Sequence, residues 1–327
     1  MKTSTFLPAA AWVLAAAAQA QSTVTIYGIV DQGVTKANKG STSGAMLNGR
    51  AAPDTWTVKA GNTSRLGFRS QEDLGDGLYA RFQIEHRFAA DTGTPSNAVF
   101  WLGRSVVAVG SRQWGEVYLG REYSAAYWVA LNVDPTLWSY VSQTGAAYTY
   151  ANYTPVATTV EASNIRWANS VGYKTPKLGP VTAELATGLG EGLRKRSTSA
   201  NLQYNEGAVW IGLAYDGLDS HTQLKLLALG YDFGVLRPTA SYARAKGGLN
   251  GDAEAFTLSA LVPLDFGRVY ASLGRLRPAT HLDSKMLGAG IQYDLSKRSL
   301  LYVNLGSARQ VHQTRTTAFD VGFKHTF

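Results

Sequence analysis

Basic side chains that recur with a period of two are the residues of this sequence most able to do chemistry. Side chains alternate between the two faces of a strand, so residues two or four apart share a face. One such face carries Arg65, Arg69, Arg81, Glu85, Arg166 and Lys174. A row of guanidinium groups attracts anions, and because arginine stays protonated its field is independent of pH. Salt bridges to Glu72, Glu85 or Glu184 are the alternative, but we favour a net attraction for anions.

Catalytic and metal-binding motifs are missing from the sequence. The five histidines are scattered without metal-ligand spacing, and neither a Gly-x-Ser-x-Gly elbow nor a phosphate-binding loop is present. The chain has no cysteine, which excludes disulfides and thiolate metal sites. We therefore predict no metal, no cofactor and no enzymatic activity. A composite Ser/His/Asp site, as in a hydrolase built on a membrane barrel, is a remote alternative that motif absence leaves open.

Residues 122–164 form a long aromatic segment with few charges. The only charged residues in it are Glu122, Asp134 and Glu161. Its aromatic residues are Tyr123, Tyr127, Trp128, Trp138, Tyr140, Tyr148, Tyr150 and Tyr153. They could form a stacking surface for sugars or aromatic acids, or they could pack this segment onto a wall. We favour packing, because buried tyrosines readily combine apolar contact with a hydrogen bond.

The elements that must position these residues are strands. Sixteen alternating segments follow residue 21, and we find no convincing amphipathic helix. They span residues 23–34, 64–71, 78–88, 99–110, 116–121, 165–174, 181–188, 200–204, 209–215, 224–231, 235–244, 256–264, 268–276, 286–295, 300–306 and 319–327. Short turns alternate with long connections such as 35–63, 89–98, 122–164, 189–199 and 245–254. No second domain is indicated.

Strand length separates a membrane barrel from a β-sandwich. Sandwich strands are typically about 5–6 residues long, whereas strands that cross a membrane at a tilt need about 9–11. The last strand alternates apolar and polar residues without a break and ends on Phe327. The sequence therefore predicts an all-β, 16-stranded antiparallel transmembrane β-barrel, with short periplasmic turns and long external loops.

The N-terminus carries an export signal. Lys2 precedes a short apolar stretch, and Ala18-Gln19-Ala20 is a small-x-small cleavage site. We predict a signal peptide over residues 1–20 and a single barrel domain over residues 21–327. The formal net charge is +8, and Lys2 is the only charge removed with the peptide. Export argues against nucleic acid as the partner of this basic chain.

Several stretches, taken in order, resemble the general diffusion porins of Gram-negative bacteria, of the β-proteobacterial trimeric type. The stretches are 22–31 (STVTIYGIVD), 64–68 (SRLGF), 72–78 (EDLGDGL), 115–121 (GEVYLGR), 169–173 (NSVGY), 293–298 (YDLSKR) and 321–327 (VGFKHTF). The resemblance covers residues 21–327 almost completely. It implies a homotrimer in the outer membrane, through which small hydrophilic solutes and ions diffuse passively.

The resemblance also implies roles for particular residues. The third external loop would fold into the lumen as a constriction, and Phe327 would be recognised by the outer-membrane assembly machinery. The residues assigned to the constriction loop are Glu122, Tyr127, Asp134, Trp138, Tyr140 and Glu161. The family's acidic Pro-Glu-Phe-Gly-like patch is missing from this loop, so we expect the channel to depart from the usual constriction chemistry. A substrate-specific channel that uses the aromatic loop is the alternative function.

Arg121 is a further member of the predicted basic pore wall, although its position is unusual. Strict alternation puts it on the lipid face with Val117 and Leu119, where a charge at mid-bilayer costs about 2–4 kcal/mol. We therefore expect Gly120 to mark a bulge or strand end that lets Arg121 turn inward. We likewise expect a bulge or strand end at Gly103 that lets Arg104 turn inward. The resulting prediction is a channel with a modest preference for anions.

Overall fold

The computed structural model describes residues 23–38, 54–145, 165–191, 196–218, 222–248, 251–279 and 283–327. The predicted signal peptide over residues 1–20 and the predicted loop residue Glu161 lie outside these ranges. No helix in the described ranges is long and apolar enough to span a membrane.

Strands make up almost all of the described chain. The strands are β1 (Thr25–Ala37), β2 (Thr57–Lys59), β3 (Ser64–Gly75), β4 (Leu78–Ala89), β5 (Thr94–Pro95), β6 (Ser105–Ser111), β7 (Gly115–Tyr123), β8 (Arg166–Lys174), β9 (Val181–Gly188), β10 (Ser197–Glu206), β11 (Val209–Gly217), β12 (Gln223–Tyr231), β13 (Arg237–Gly248), β14 (Gly251–Leu264), β15 (Gly267–Pro278), β16 (Ser284–Asp294), β17 (Ser299–Gln310) and β18 (Thr316–Thr326). One helix, α1 (Ala125–Val133), follows β7.

The sheet closes on itself. Apart from the two- and three-residue strands β5 and β2, each strand pairs antiparallel with the next, and β18 returns to β1 from Ile29↔Thr326 to Ala37↔Ala318. Past the last paired residue, Gly28 and Phe327 exchange two backbone hydrogen bonds of 3.1 Å. The sixteen long strands confirm the predicted barrel. Closure removes the free edges that would leave unpaired backbone groups in lipid.

Apolar side chains cover the outside of the barrel. In β15 the exposed residues alternate strictly with buried ones, and Leu273 faces outward beside Leu287 of β16. The inward positions of β10 to β14 are mostly small or hydroxyl-bearing, such as Ser199, Ala228 and Ser241. Apolar residues outside and polar or small residues inside is the pattern of a transmembrane barrel and the reverse of a sandwich.

Several predicted strand limits were wrong. The segment predicted over 99–110 starts only at Ser105, and β7 runs on to Tyr123, which places Glu122 in a strand instead of the third loop. The predicted loop over 245–254 is mostly strand, because β13 and β14 extend towards each other as far as Gly248 and Gly251. A register shift between Ala245 and Gly248 interrupts the pairing there. The alternation of apolar and polar residues is weak at a barrel rim, because both faces of a strand are polar where the strand leaves the membrane.

A side chain at Gly28 should weaken the seam between β1 and β18. A Cβ there would lie 2.4 Å from the Phe327 ring and 2.4 Å from the Arg65 carbonyl. We expect Gly28→Ala to lower the free energy of unfolding by about 1–3 kcal/mol, because the seam backbone must move. The folded barrel and the unfolded chain run as separate bands on a gel without heating, and the urea concentration at which half of the protein is unfolded measures this change. Gly230→Ala is the control, since its nearest contact would be 3.2 Å; equal effects of both substitutions would contradict the prediction.

Candidate functional site

The segment after β7 enters the barrel and packs on its inner wall. Helix α1 begins after Ser124, whose backbone is extended, and ends at Asp134. Its residues Val129 and Val133 are buried in one cluster with the inward alanines Ala214 and Ala228. Small wall residues therefore provide the space into which an apolar helix fits. The prediction that the third loop folds into the lumen is confirmed.

Hydrogen bonds to the wall hold both ends of α1. The Ala126 amide donates to the Ser199 hydroxyl over 3.0 Å at the first turn. At the last turn the Ser259 and Thr239 hydroxyls both donate to the Val133 carbonyl, over 2.7 and 2.9 Å. These bonds satisfy helix-end groups that have no partner within the helix.

The loop continues across the lumen to the last strand. The Val141 amide donates to Asp320 over 2.9 Å, and the Asn304 amide group donates to the other oxygen of Asp320 over 2.7 Å. The Tyr140 amide donates to the Gly61 carbonyl over 2.9 Å, beside β3. Asp320 of β18 and the Gly61 carbonyl thus hold residues 140–141 of the third loop.

Asp134 organises the loop from within. Its carboxylate accepts from the amides of Thr136, Thr144 and Gly145 over 2.9, 3.1 and 3.0 Å. Burial raises the pKa of Asp134, although these hydrogen bonds act in the opposite direction. The carboxylate is 1% exposed. Asp134 was assigned to the constriction loop, and within that loop its carboxylate is the centre of these hydrogen bonds.

The opposite wall, on β3, β4 and β6 to β8, carries ion pairs. Arg81 forms a bidentate pair with Glu116, with Nε 2.6 Å from Oε2. Arg104 pairs with Glu122 in the same way, with Nε 2.8 Å from Oε1. Lys174 lies 4.0 Å from Glu122. The neutralised arrangement considered for the basic row therefore applies to Arg81, although its partner is Glu116.

Other predicted wall arginines have neutral partners. Arg65 donates to the Asn62 side chain over 2.6 Å, and the Arg69 guanidinium lies over the Tyr27 ring at 5.2 Å. Arg166 lies over the Tyr123 ring at 4.8 Å. Among the residues that the structure describes, no carboxylate lies within salt-bridge distance of Arg65, Arg69 or Arg166.

Arg121 does not turn inward as predicted. A register shift between Gly120 and Glu122 is present, but the one extra residue lies on β8. Arg121 lies opposite Ser105, one position away from the inward residues of both strands, so it belongs to the outer face. Its Nε donates to the Leu102 carbonyl over 3.1 Å. The backbone of the preceding connection thus covers the charge. At Gly103-Arg104 the strand end is the expected alternative that the structure shows, because Arg104 comes just before β6 and its guanidinium reaches Glu122.

The described aromatic residues of the loop stack on one another. The Tyr127 ring lies 4.0 Å from the Tyr123 ring and 4.9 Å from the Trp138 ring. Tyr140 is 1% exposed and lies 4.4 Å from the Tyr302 ring on the wall. This arrangement agrees with the packing interpretation. Glu116 was missed as the partner of Arg81 because cross-strand partners depend on register. Two of the carboxylates considered do form ion pairs, since Glu184 lies 3.9 Å from Lys174 and Glu85 lies 2.6 Å from Arg87.

A family model described as Gram-negative porin matches residues 5–313 of the chain. The chain belongs to the Gram-negative porin family. Outer membrane porin protein 32 of Delftia acidovorans is 31% identical over 322 residues, covering 90% of this chain and 86% of the relative. An outer membrane porin protein of Bordetella pertussis is 27% identical over 392 residues, covering 96% of each.

Solved structures support the same fold. An anion-selective porin from Comamonas acidovorans superposes with a TM-score of 0.77 at 24% identity, covering 94% of this chain and 100% of that one. The outer membrane protein OmpT of Vibrio cholerae, in its trimer form, gives a TM-score of 0.68 at 13% identity, covering 94% and 99%. At these identities the likeness concerns the fold alone.

This porin is therefore a channel of the Gram-negative outer membrane, and family membership sets the hydrolase alternative aside. Within the described ranges, no group of three His, Asp or Glu side chains could hold a metal ion.

A larger residue at Gly288 should push the third loop into the channel. A Cβ at this inward position would lie 1.8 Å from the Ser142 carbonyl of the loop. We expect Gly288→Val to lower single-channel conductance by about twofold, because the loop backbone must leave the wall and narrow the pore. Planar-bilayer recording measures the conductance of each variant.

The neighbouring Ala289→Val is the matched control. Ala289 faces outward and is exposed, so the same side chain there leaves the loop in place. Unchanged conductance in Gly288→Val, with the barrel folded, would contradict the prediction.

Proposed function

We propose that this porin is a passive diffusion channel for small hydrophilic solutes with a modest preference for anions. The observation that carries the proposal is the unequal exposure of Glu122 and of the two cations beside it. Arg104 is 17% exposed while Glu122 is 0% exposed, and Lys174 is 26% exposed beside the same carboxylate. The surface presented to the lumen is therefore more basic than the count of charges suggests.

The opposite side of the lumen supports the proposal. Its carboxylates Asp31, Asp216 and Asp320 are 0 to 4% exposed and bind neutral donors that anchor backbone and side chains. A charge covered by protein and separated from the solute by a neutral segment attracts a passing cation less than an exposed one does. The solved porin from Comamonas acidovorans, which has a similar fold, is an anion-selective porin.

Removing two of the three wall arginines with neutral partners should shift selectivity towards cations. We expect Arg65→Gln with Arg69→Gln to lower the anion-to-cation permeability ratio by about twofold to fivefold, because each removes an uncompensated charge. The reversal potential in a KCl gradient measures the ratio. Raising the salt concentration should reduce the difference between variant and unmodified channel.

A charge-neutral double variant is the control for this experiment. Arg81→Gln with Glu116→Gln removes both members of one ion pair, so the net charge of the wall is unchanged. We expect its reversal potential to stay near that of the unmodified channel. A shift in the control as large as in the arginine variant, or no shift in either, would overturn the proposed selectivity.

We also propose that the chain assembles as a homotrimer. An aromatic patch lies on the outer face of β3 and β4, where Phe100 stacks on His86 at 4.1 Å and meets Trp101 at 4.9 Å. Phe100 is 56% exposed, and the His86 ring is polar, unlike the aliphatic rows on β15 and β16. A second copy of the chain would cover such a patch better than lipid. The similar fold of OmpT was solved in a trimer form.

Substitution within the patch should weaken the trimer. We expect Phe100→Ser with Trp101→Ser to lower the trimer fraction by about tenfold, because buried aromatic residues dominate subunit contacts. Native gel mobility after mild extraction gives this fraction. Trp114→Ser, a change of a 76% exposed residue in a turn, is the control. A patch variant that remains fully trimeric would exclude this surface as the contact.

A further inference from the structure

A polar cavity lies at the short-turn mouth of the lumen, beside the last turn of α1. Its volume is about 500 Å³, and it is lined by one proline and by Asn132, Lys177, Thr182, Gln203, Asn205 and Trp210. Gln203 follows Asn201 by two residues on β10, and Asn201 donates to the Ala125 carbonyl of α1 over 2.6 Å. Because residues two apart on a strand share a face, Gln203 also faces the lumen.

Neighbouring strands bring the other side chains to the same face. Thr182 of β9 lies opposite Gln203. Trp210 of β11 lies opposite Asn205, which is the next inward residue of β10. Residues directly opposite each other in an antiparallel pair project to one side of the sheet. The inner wall, the helix and the turn between β8 and β9 therefore enclose one cavity.

An inward-facing tryptophan forms the apolar side of this cavity. Trp210 is partly buried against the cluster around α1, and the rest of its side chain borders the cavity. A Cβ at Gly212 or at Gly230 would lie 3.1 or 3.2 Å from two atoms on opposite sides of the six-membered ring of Trp210. The ring therefore lies along the wall, in space that the two glycines leave open. Tryptophan in a barrel is common at the lipid interface, but lipid cannot be the partner of an indole inside the lumen.

The polar groups around the indole are held in place and still have hydrogen-bonding capacity. The Gln203 carboxamide oxygen accepts from the Trp210 indole over 3.2 Å and from the Asn132 side chain over 3.4 Å, which leaves the Gln203 amide group to donate. In the described part of the chain, no protein group hydrogen-bonds to the side chains of Thr182 or Asn205. The cavity thus offers a solute both donors and acceptors next to an aromatic ring.

We infer that this cavity binds a monosaccharide ring that carries one carboxylate. A pyranose ring presents an apolar C–H face that packs on an indole, and its hydroxyls both donate and accept, as carboxamides do. Among the described residues that line the cavity, Lys177 is the only charged one, so the lining matches a single negative charge. The inference rests on the proposed function, because a solute reaches this cavity only by entering the lumen.

The test measures binding of D-glucuronate to the purified, folded protein by NMR titration, with a millimolar dissociation constant expected for so small a ligand. We expect Trp210→Ala to weaken binding by about tenfold, because the stacking face is lost, and Trp210→Phe to recover most of the affinity. The matched control is Trp114→Ala, which removes an exposed tryptophan of a short turn outside the cavity. Undiminished binding by Trp210→Ala, or no saturable binding by the unmodified protein, would overturn the inference.

Two further solutes test the class of ligand. D-Glucose lacks the carboxylate and cyclohexanecarboxylate lacks the hydroxyls, so each should bind at least about fivefold more weakly than D-glucuronate. Lys177→Gln should lower the affinity for D-glucuronate to about that for D-glucose and leave D-glucose binding unchanged. Lys297→Gln, which removes an exposed cation of another short turn, is the control. Equal binding of either solute, or an equal effect of Lys177→Gln on both sugars, would contradict the inference.

The binding measurement needs no conduction, so it is separate from the selectivity experiment. Arg65 and Arg69 lie outside the lining of the cavity, and we expect Arg65→Gln with Arg69→Gln to change the affinity for D-glucuronate by less than about twofold. If D-glucuronate fails to bind while the reversal potential shifts as proposed, only the sugar site is wrong. If D-glucuronate binds and the reversal potential does not shift, only the proposed selectivity is wrong.

Discussion

The requirement that every backbone amide and carbonyl in hydrocarbon has a partner governs this structure. Only closure of the sheet meets that requirement for strands, and here closure depends on β1 receiving β18. The two glycines at the seam, Gly28 and Gly33, leave room for Phe327 and for the Tyr302 hydroxyl. Because the ring of strands is fixed by these contacts, the inner wall becomes a rigid surface on which the loops can be arranged.

The two halves of that inner wall are used differently. Small residues and buried carboxylates on β10 to β18 receive the third loop, as Asp320 shows by holding the Val141 amide. The half made by β3, β4 and β6 to β8 keeps long charged side chains, whose partners come from neighbouring strands, as in Arg81 with Glu116. Small inward side chains therefore lie on one half of the barrel, and long charged side chains lie on the other. The separation places the loop on one side and leaves the basic surface on the other.

Much of this arrangement could be predicted from the sequence, because period-two alternation is a local property that a barrel repeats sixteen times. The parity of Arg65, Arg69 and Arg81 agrees with the register of β3 and β4, in which Arg65 lies opposite Arg87 and Arg69 lies opposite Gln83. The role of Asp134 could not be predicted, since its three amide donors belong to a turn that no periodicity encodes. The inward direction predicted for Arg121 was wrong, because the one extra residue that shifts the register lies on the neighbouring strand β8 and not at Gly120.

The anchoring of the third loop has a consequence for the order of assembly. Val141 and Ser142 depend on Asp320 and Asn304, which belong to β18 and β17. A chain whose last two strands have not yet joined the sheet lacks both of these acceptors. This part of the loop can therefore take its place on the wall only once the strands that close the barrel are present.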